Sequence, residues 1–401
     1  MSMKTSELIL LSYINKFKKI DYIEMQKEIN APILHLSNII YDLYSKGYFT
    51  LIDNEGGAEV TEKAKAEPIY TWNAWTKDEE FGLDFDGTQK YEGEVNEFSV
   101  PKIEDEKKLE QILKLGHIDE NFYHIFELYH KEKVRVICAP SRNLKERQKW
   151  ILKNILNKVT MKECVHGFVC GKSIVTNASC HVGKKEILCL DIADFFPSIK
   201  LNEVKNIFIK LGYTEEVALR LGKLCTYTPE MSQEYELPQG APTSPALANI
   251  EFDKIDDKLL AYADENQLVY TRYADDLTFS TDSENIEKHI NHVKDIITES
   301  GFLINENKTH VMKDNYRKLV TGLIVNEKVK IPKRFKRKFK QELYYCRKYG
   351  ISQHLHATGR DNAINFREYM YGKAYFIKMV ETDLGKYYLN QLDELFANSN
   401  I

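Results

Sequence analysis

The stretch from Leu268 to Ser280, LVYTRYADDLTFS, constrains this chain more than any other. β-Branched and aromatic residues dominate both of its halves, which predicts two strands, with the adjacent Asp275 and Asp276 at the turn between them. Two neighbouring carboxylates at a hairpin tip repel one another unless a cation sits between them. An Asp-Asp pair alone would read as an ordinary acidic turn. A second acidic strand end changes that reading: the apolar run from Ile187 to Leu190 delivers Asp191, and Asp194, Phe195, Phe196 and Pro197 follow. Three carboxylates on two adjacent strand ends can hold two Mg²⁺ ions about 3.5–4 Å apart, the arrangement for in-line phosphoryl transfer. Asp194 reads as supporting structure.

Between these two acidic ends lies Leu237-Pro238-Gln239-Gly240-Ala241-Pro242-Thr243-Ser244-Pro245. Its prolines predict a rigid loop leading into a helix, and Gly240 lets the backbone beside Gln239 approach a ligand closely.

At 401 residues the chain is long enough for two or three units. Residues 1–67 show helical spacing of Leu36, Ile39, Ile40 and Leu43, then two strand-like runs around Asn54-Glu55-Gly56-Gly57. That order predicts a winged-helix-like domain, with a helix over 33–45. Eight lysines against ten acids suit phosphate binding poorly, so a protein-docking module is the better reading than a DNA reader. Residues 68–106 carry three basic and eleven acidic residues and read as an acidic linker with local packing. Residues 107–325 alternate helical and strand patterns, as in an α+β body. Residues 326–401 are helical and hold fifteen Lys/Arg against eight Asp/Glu, which points to a polyanion partner.

The seven cysteines lack regular spacing, which fits free thiols in a reducing compartment. Cys164, His166, Cys170, Cys180 and His181 are close in sequence but match no paired zinc pattern and read as packing residues. No signal peptide or membrane-spanning run is evident, so the expectation is a soluble, cytoplasmic protein without membrane contact.

Taken as a set, Asp191 with Phe196 five residues on, the LPQG loop and Tyr273-Ala-Asp-Asp276 resemble the palm motifs of reverse transcriptases, over about Arg135 to Gly322. Asn177-Ala-Ser-Cys-His181 and Val320-Thr321-Gly322 resemble the NAxxH and VTG signatures of the retron subfamily. The resemblance implies a right-hand fold of fingers, palm and thumb after the N-terminal domain. It further implies RNA-directed DNA synthesis from dNTPs with two Mg²⁺ ions, Mn²⁺ being a substitute, on Asp191, Asp275 and Asp276. A cognate non-coding RNA would supply template and a guanosine 2′-OH primer, giving branched RNA-linked DNA (msDNA). Antiphage defence with an effector protein follows from the same likeness, and the N-terminal domain, read from its charge as a docking module, is where an effector would bind. By matching position, Phe196 would exclude a nucleotide 2′-OH and Gln239 with Gly240 would line the nucleotide pocket. The Ile192 carbonyl would face an ion, Arg135 would grip the triphosphate, and Lys308 would protonate pyrophosphate. Asn177, His181, Val320, Thr321, Gly322, Lys333, Arg334 and Arg337 would contact RNA. An intron-type enzyme extending 3′ primers and a non-catalytic RNA scaffold are the alternatives.

Overall fold

The computed structural model describes residues 87–115, 123–130, 133–229, 232, 234–360 and 365–397, with scattered positions between 10 and 61. Of the expected winged-helix domain, two short strands are described, β1 (Phe49–Leu51) and β2 (Ala58–Val60), paired antiparallel with Phe49 opposite Val60. Leu10, Tyr13, Ile14, Ile40, Leu43 and, in β1, Phe49 are buried. Most of the helix expected over 33–45, and Trp72, Trp75, Phe81 and Phe85 of the expected linker, lie outside the described residues. The later part of that acidic stretch is anchored. Tyr91 packs edge-on against Trp150, and Val100 and Ile103 are buried in the main core.

A hairpin of two eight-residue strands, β3 (Tyr123–His130) and β4 (Lys133–Pro140), precedes a helix over Arg142–Asn154 that Ser141 caps. The central sheet comprises β5 (Glu186–Ala193), β6 (Val269–Tyr273), β7 (Asp276–Thr281), β8 (Leu303–Ile304) and β9 (His310–Met312). β5 lies between β7 on one side and β8 and β9 on the other, all antiparallel to it.

The two-residue period of β5 decides what its faces do. Leu188, Leu190 and Ile192 enter the main core, where they meet Phe252, Leu277 and Phe279. Ile187 enters a second core, and Cys189 packs against it. Asp191 follows in that same alternation, so the strand's register turns a carboxylate to the face opposite the main core.

The second core also unites a small hairpin, β10 (Leu319–Val320) and β11 (Leu323–Ile324), with helices over Lys333–Tyr349, Phe366–Val380 and Thr382–Ala397. The first of these helices buries Phe339, Leu343 and Cys346, while Lys333, Arg334, Arg337, Lys338 and Lys340 are exposed. Among the described residues no helix is long and apolar enough to cross a membrane.

Candidate active site

Asp191 on β5 stands directly across from Asp276 on β7, and Asp276 pairs with Tyr273 on β6, which leaves Ala274 and Asp275 as the turn. The backbone N–H of Ile192 donates to the Asp275 carbonyl at 3.0 Å, tying the turn to the neighbouring strand end. Burial, with the charges of Asp275 and Asp191, pushes the Asp276 carboxyl up to about 6, although part of the side chain reaches solvent. Burial and Asp191 also raise Asp275, against the opposing charges of Lys308 and Arg135. Lys308 donates to both Asp191 oxygens, at 2.7 and 2.6 Å. Two cations therefore border three carboxylates, which leaves one formal negative charge in excess.

That excess is what a divalent cation would neutralise. Among the described residues no group of three or more His, Cys, Asp or Glu side chains is arranged to hold a metal ion by itself. Carboxylate oxygens suit a hard divalent cation, and Asp191, Asp275 and Asp276 would hold one only with further ligands from a substrate's phosphates.

The turn is braced from behind by groups that sequence inspection did not single out. Arg272 is fully buried and grips Asp256 of the helix Ser244–Glu265 through Nε at 3.0 Å and Nη2 at 2.7 Å. Its Nη1 donates to Asn249 Oδ1 at 2.8 Å and to the Ala274 carbonyl at 3.2 Å. Tyr270 adds a 2.7 Å hydrogen bond to Asp256. Asn249 donates in turn to the Gly167 carbonyl at 2.9 Å, and a Cβ at Gly167 would stand 2.4 Å from the Ala274 nitrogen. A side chain at Gly167 would displace the turn. The available signal was Arg272 itself, a charge inside a strand of apolar and β-branched residues, which must find a buried partner.

Phe195 and Phe196 divide their tasks. Phe195 is buried against Phe252 and Phe302, whereas Phe196 is half-buried at the edge of the core, five residues beyond Asp191. Asp194, in a left-handed conformation with φ 44°, is exposed and its carbonyl accepts from Ser198. Gln239 and Gly240 are exposed between the buried Leu237 and Ala241. Their loop leans on β4: Cys138 N–H donates to the Gln239 carbonyl at 2.9 Å, and a Cβ at Gly240 would meet the Cys138 carbonyl at 2.8 Å. β4 also carries the exposed Arg135, whose charge is felt at Asp275.

The expectation that Asn177 and His181 contact RNA directly needs correcting. Both are fully buried. His181 pairs through Nδ1 with Ser280 and through Nε2 with Thr271, each at 2.7 Å, and desolvation lowers its pKa to about 3. A neutral imidazole with both nitrogens engaged ties β6 to β7 and has nothing left to offer a phosphate. Val320 is buried as well, while Thr321 and Gly322 form the β10–β11 turn with φ of 45° and 80°. Positive φ at both central residues suits a tight hairpin turn and is unusual for threonine. The Thr321 hydroxyl donates to the Ile174 carbonyl at 3.0 Å, at the start of the helix Ile174–Ser179 that carries Asn177. Ala178, Val320 and Leu323 share the second core. The two signatures, over a hundred residues apart in sequence, thus form one packed unit. Of the remaining residues expected at RNA, Gly322, Lys333, Arg334 and Arg337 are exposed. His166 hydrogen-bonds Thr176 at 2.9 Å, and its other ring nitrogen lies 3.8 Å from the Cys180 sulfur.

A carboxylate pair on a hairpin turn, facing a third across an antiparallel strand, is the arrangement of a palm-type polynucleotide polymerase. Residues 124–330, just over half of the chain, match the family model for reverse transcriptase (RNA-dependent DNA polymerase). The Retron Ec86 reverse transcriptase of Escherichia coli is 37% identical over 240 residues, covering 58% of this chain and 73% of that protein. The Retron Mx162 reverse transcriptase of Myxococcus xanthus is 33% identical over 295 residues, covering 66% and 59% respectively. A telomerase structure from Candida albicans shares 12% identity and a TM-score of 0.41 over 70% of this chain and 56% of that one, a likeness too distant to bear on function. The chain belongs to the retron-type reverse transcriptases, RNA-directed DNA polymerases that copy an RNA template and use divalent metal ions.

Proposed function

We propose that this enzyme starts DNA synthesis from a guanosine 2′-OH of a structured non-coding RNA and makes branched, RNA-linked single-stranded DNA. The observation that carries this reading is the packing of Asn177–His181 against Val320–Gly322 through Thr321 and Ile174, beside an intact acidic site. Two-metal chemistry needs only an aligned hydroxyl, so the choice of 2′ over 3′ must come from how the RNA is held. The signature unit stands behind β6 and β7 and next to the basic helix, where it would set the position of an RNA stem without touching it through His181. The similarity to proteins named for retrons supports the same reading.

Two Mg²⁺ ions, replaceable by Mn²⁺, would lower the pKa of the attacking hydroxyl and stabilise charge on the leaving pyrophosphate. Asp191, Asp275 and Asp276 would hold them, with the Ile192 carbonyl close by. Arg135 and Lys308 would meet the triphosphate and the pyrophosphate, and Gln239 and Gly240 would floor the nucleotide pocket. In this reading residues 107–325 are fingers and palm, 326–401 the thumb, and 68–106 an acidic connection. Residues 1–67 form a winged-helix-like module for a protein effector in antiphage defence, and the whole works in the cytoplasm.

The test is the product. Nucleic acid isolated with the enzyme from cells carrying its locus should change mobility after RNase and debranching treatment. DNA insensitive to debranching would remove the 2′-priming proposal and leave the polymerase standing. Phe196→Ala separately probes the pocket: contact discrimination of this kind is worth roughly 10- to 200-fold, so ribonucleotide use relative to dNTP use should rise by at least about tenfold. An unchanged ratio in single-nucleotide incorporation would place the sugar gate elsewhere.

A further inference from the structure

The segment that leads into the Gln239–Gly240 loop joins parts of the nucleotide pocket that are separate in sequence. Residues 235–237 bond to neighbouring backbone on both sides. On one side Leu201 N–H donates to the Tyr235 carbonyl and Leu237 N–H to the Ile199 carbonyl, each at 3.0 Å. Ile199 N–H donates in turn to the Phe196 carbonyl at 3.1 Å, so the turn that carries Phe196 is tied to this segment. On the other side Glu236 and Tyr227 exchange both backbone hydrogen bonds, at 2.9 and 3.0 Å. Two residues past Leu237, the Gln239 carbonyl accepts from Cys138 of β4.

The side chain of Glu236 repeats these links. Its carboxylate accepts from Lys200 Nζ at 2.8 Å and, at a longer 3.5 Å, from the Tyr227 hydroxyl. Burial, with Cys138 beside it, raises the Tyr227 pKa, so the hydroxyl stays protonated and donates. The Tyr227 ring centroid lies 5.6 Å from that of Tyr123, which brings in the β3–β4 hairpin. The Glu236 side chain is 12% exposed, against 38% for Lys200. An ion pair open to water on both sides holds its partners loosely. A carboxylate this enclosed, with one partner just beyond Phe196 and the other against the hairpin, fixes their spacing.

We propose that Glu236 is a positioning residue of the nucleotide pocket, holding the Phe196 turn and the Gln239–Gly240 loop at the spacing that accepts a deoxyribose and rejects a ribose. It acts through Lys200 and Tyr227 rather than by touching the nucleotide. The inference rests on the reading of Phe196, Gln239 and Gly240 as pocket walls and adds what sets their separation. A gate of this kind discriminates by contact, and a displacement on the order of 1 Å is enough to change a rate about a hundredfold.

The experiment measures single-nucleotide incorporation by the full chain on an RNA template with an annealed DNA primer, varying dCTP and CTP in turn. Glu236→Met should raise the KM for dCTP by roughly tenfold, leave kcat at saturating dCTP within about threefold, and raise CTP use relative to dCTP by at least about fivefold. Lys200→Met, at a site partly open to water, should move the sugar ratio in the same direction. The double variant should do no more than Glu236→Met alone, because the two side chains act as one unit. Glu236→Gln keeps an accepting oxygen for Lys200 and should restore most of the discrimination. If the Met variants lower the melting temperature or kcat while KM and the sugar ratio stay at wild-type values, the pair merely stabilises the fold and the proposal is overturned. Single effects that simply add in the double variant overturn it as well. Should Glu236→Met fail to fold, Lys200→Met decides alone. Phe196→Ala, measured alongside, separates the two readings. If it too leaves the ratio unchanged, the pocket reading fails; if it raises the ratio and the Glu236 and Lys200 variants do not, only the positioning role is lost.

Discussion

Asp276→Asn should abolish metal-dependent dNTP incorporation and, in the same protein, raise the melting temperature at neutral pH. The first effect follows from losing one of the three carboxylates that would hold the cations. Transition-state charge stabilisation of several kcal/mol disappears, so incorporation should fall by roughly a thousandfold or more. Asp275→Asn should behave alike in activity. The second effect follows from the direction of the Asp276 shift. Its pKa rises from 3.8 to about 6 on folding, so the folded state holds the proton more tightly than the unfolded one. The cost of ionising it is absent below pH 4, grows between 4 and 6, and is complete above 6. Asparagine removes that cost. Because the side chain is partly open to solvent, the gain is on the order of 1 kcal/mol. Thermal melts in EDTA should therefore separate wild type and variant above pH 6 and converge below pH 4. Polymerisation by the variant would refute the metal assignment, and coincident melts at neutral pH would refute the electrostatic strain.

What the sequence disclosed and what it concealed divide along physical lines. The hairpin carrying Asp275 and Asp276, the strand carrying Asp191 and the helix entered through Pro245 are local: a two-residue period, a turn and a proline suffice to predict them, and all three stand in the structure, although the strand runs two residues past Asp191. The facing of Asp191 and Asp276 is a register between strands far apart in sequence, which two acidic strand ends suggested but no local signal fixes. His181 was misplaced because a histidine in a signature motif looks like a ligand-binding group, whereas its surroundings desolvate it and hand both nitrogens to hydroxyls. Asp256 was invisible as the partner of Arg272, since helical spacing does not reveal which residue will meet a buried charge from a strand. In the stretch 68–106, read as an acidic linker with local packing, composition did not say which residues pack; Val100 and Ile103 are among those that hold its later part on the core.

The Arg272–Asp256 pair gives the second large effect, and a double substitution separates what it does for stability from what it does for catalysis. Both side chains are fully buried, so removing one leaves the other as an uncompensated charge. Arg272→Met should cost about 3–5 kcal/mol in urea unfolding, near the top of the range for single substitutions. Adding Asp256→Leu removes the stranded carboxylate and should recover much of that loss, because a buried ion pair replaced by apolar groups is often neutral. Activity should not recover with it. Arg272 also donates to Asn249 and to the Ala274 carbonyl, and these bonds fix the turn that aims Asp275 and Asp276. Without them the carboxylates lose their alignment, and a misplacement on the order of 1 Å costs about a hundredfold in rate. The double variant should thus fold with near wild-type stability and incorporate dNTPs some ten- to a hundredfold more slowly, with little change in RNA affinity. A double variant that is stable and fully active would show that the pair serves only the core. One that stays unstable would show that the hydrogen bonds to Asn249 and Ala274, rather than the paired charges, carry the stability.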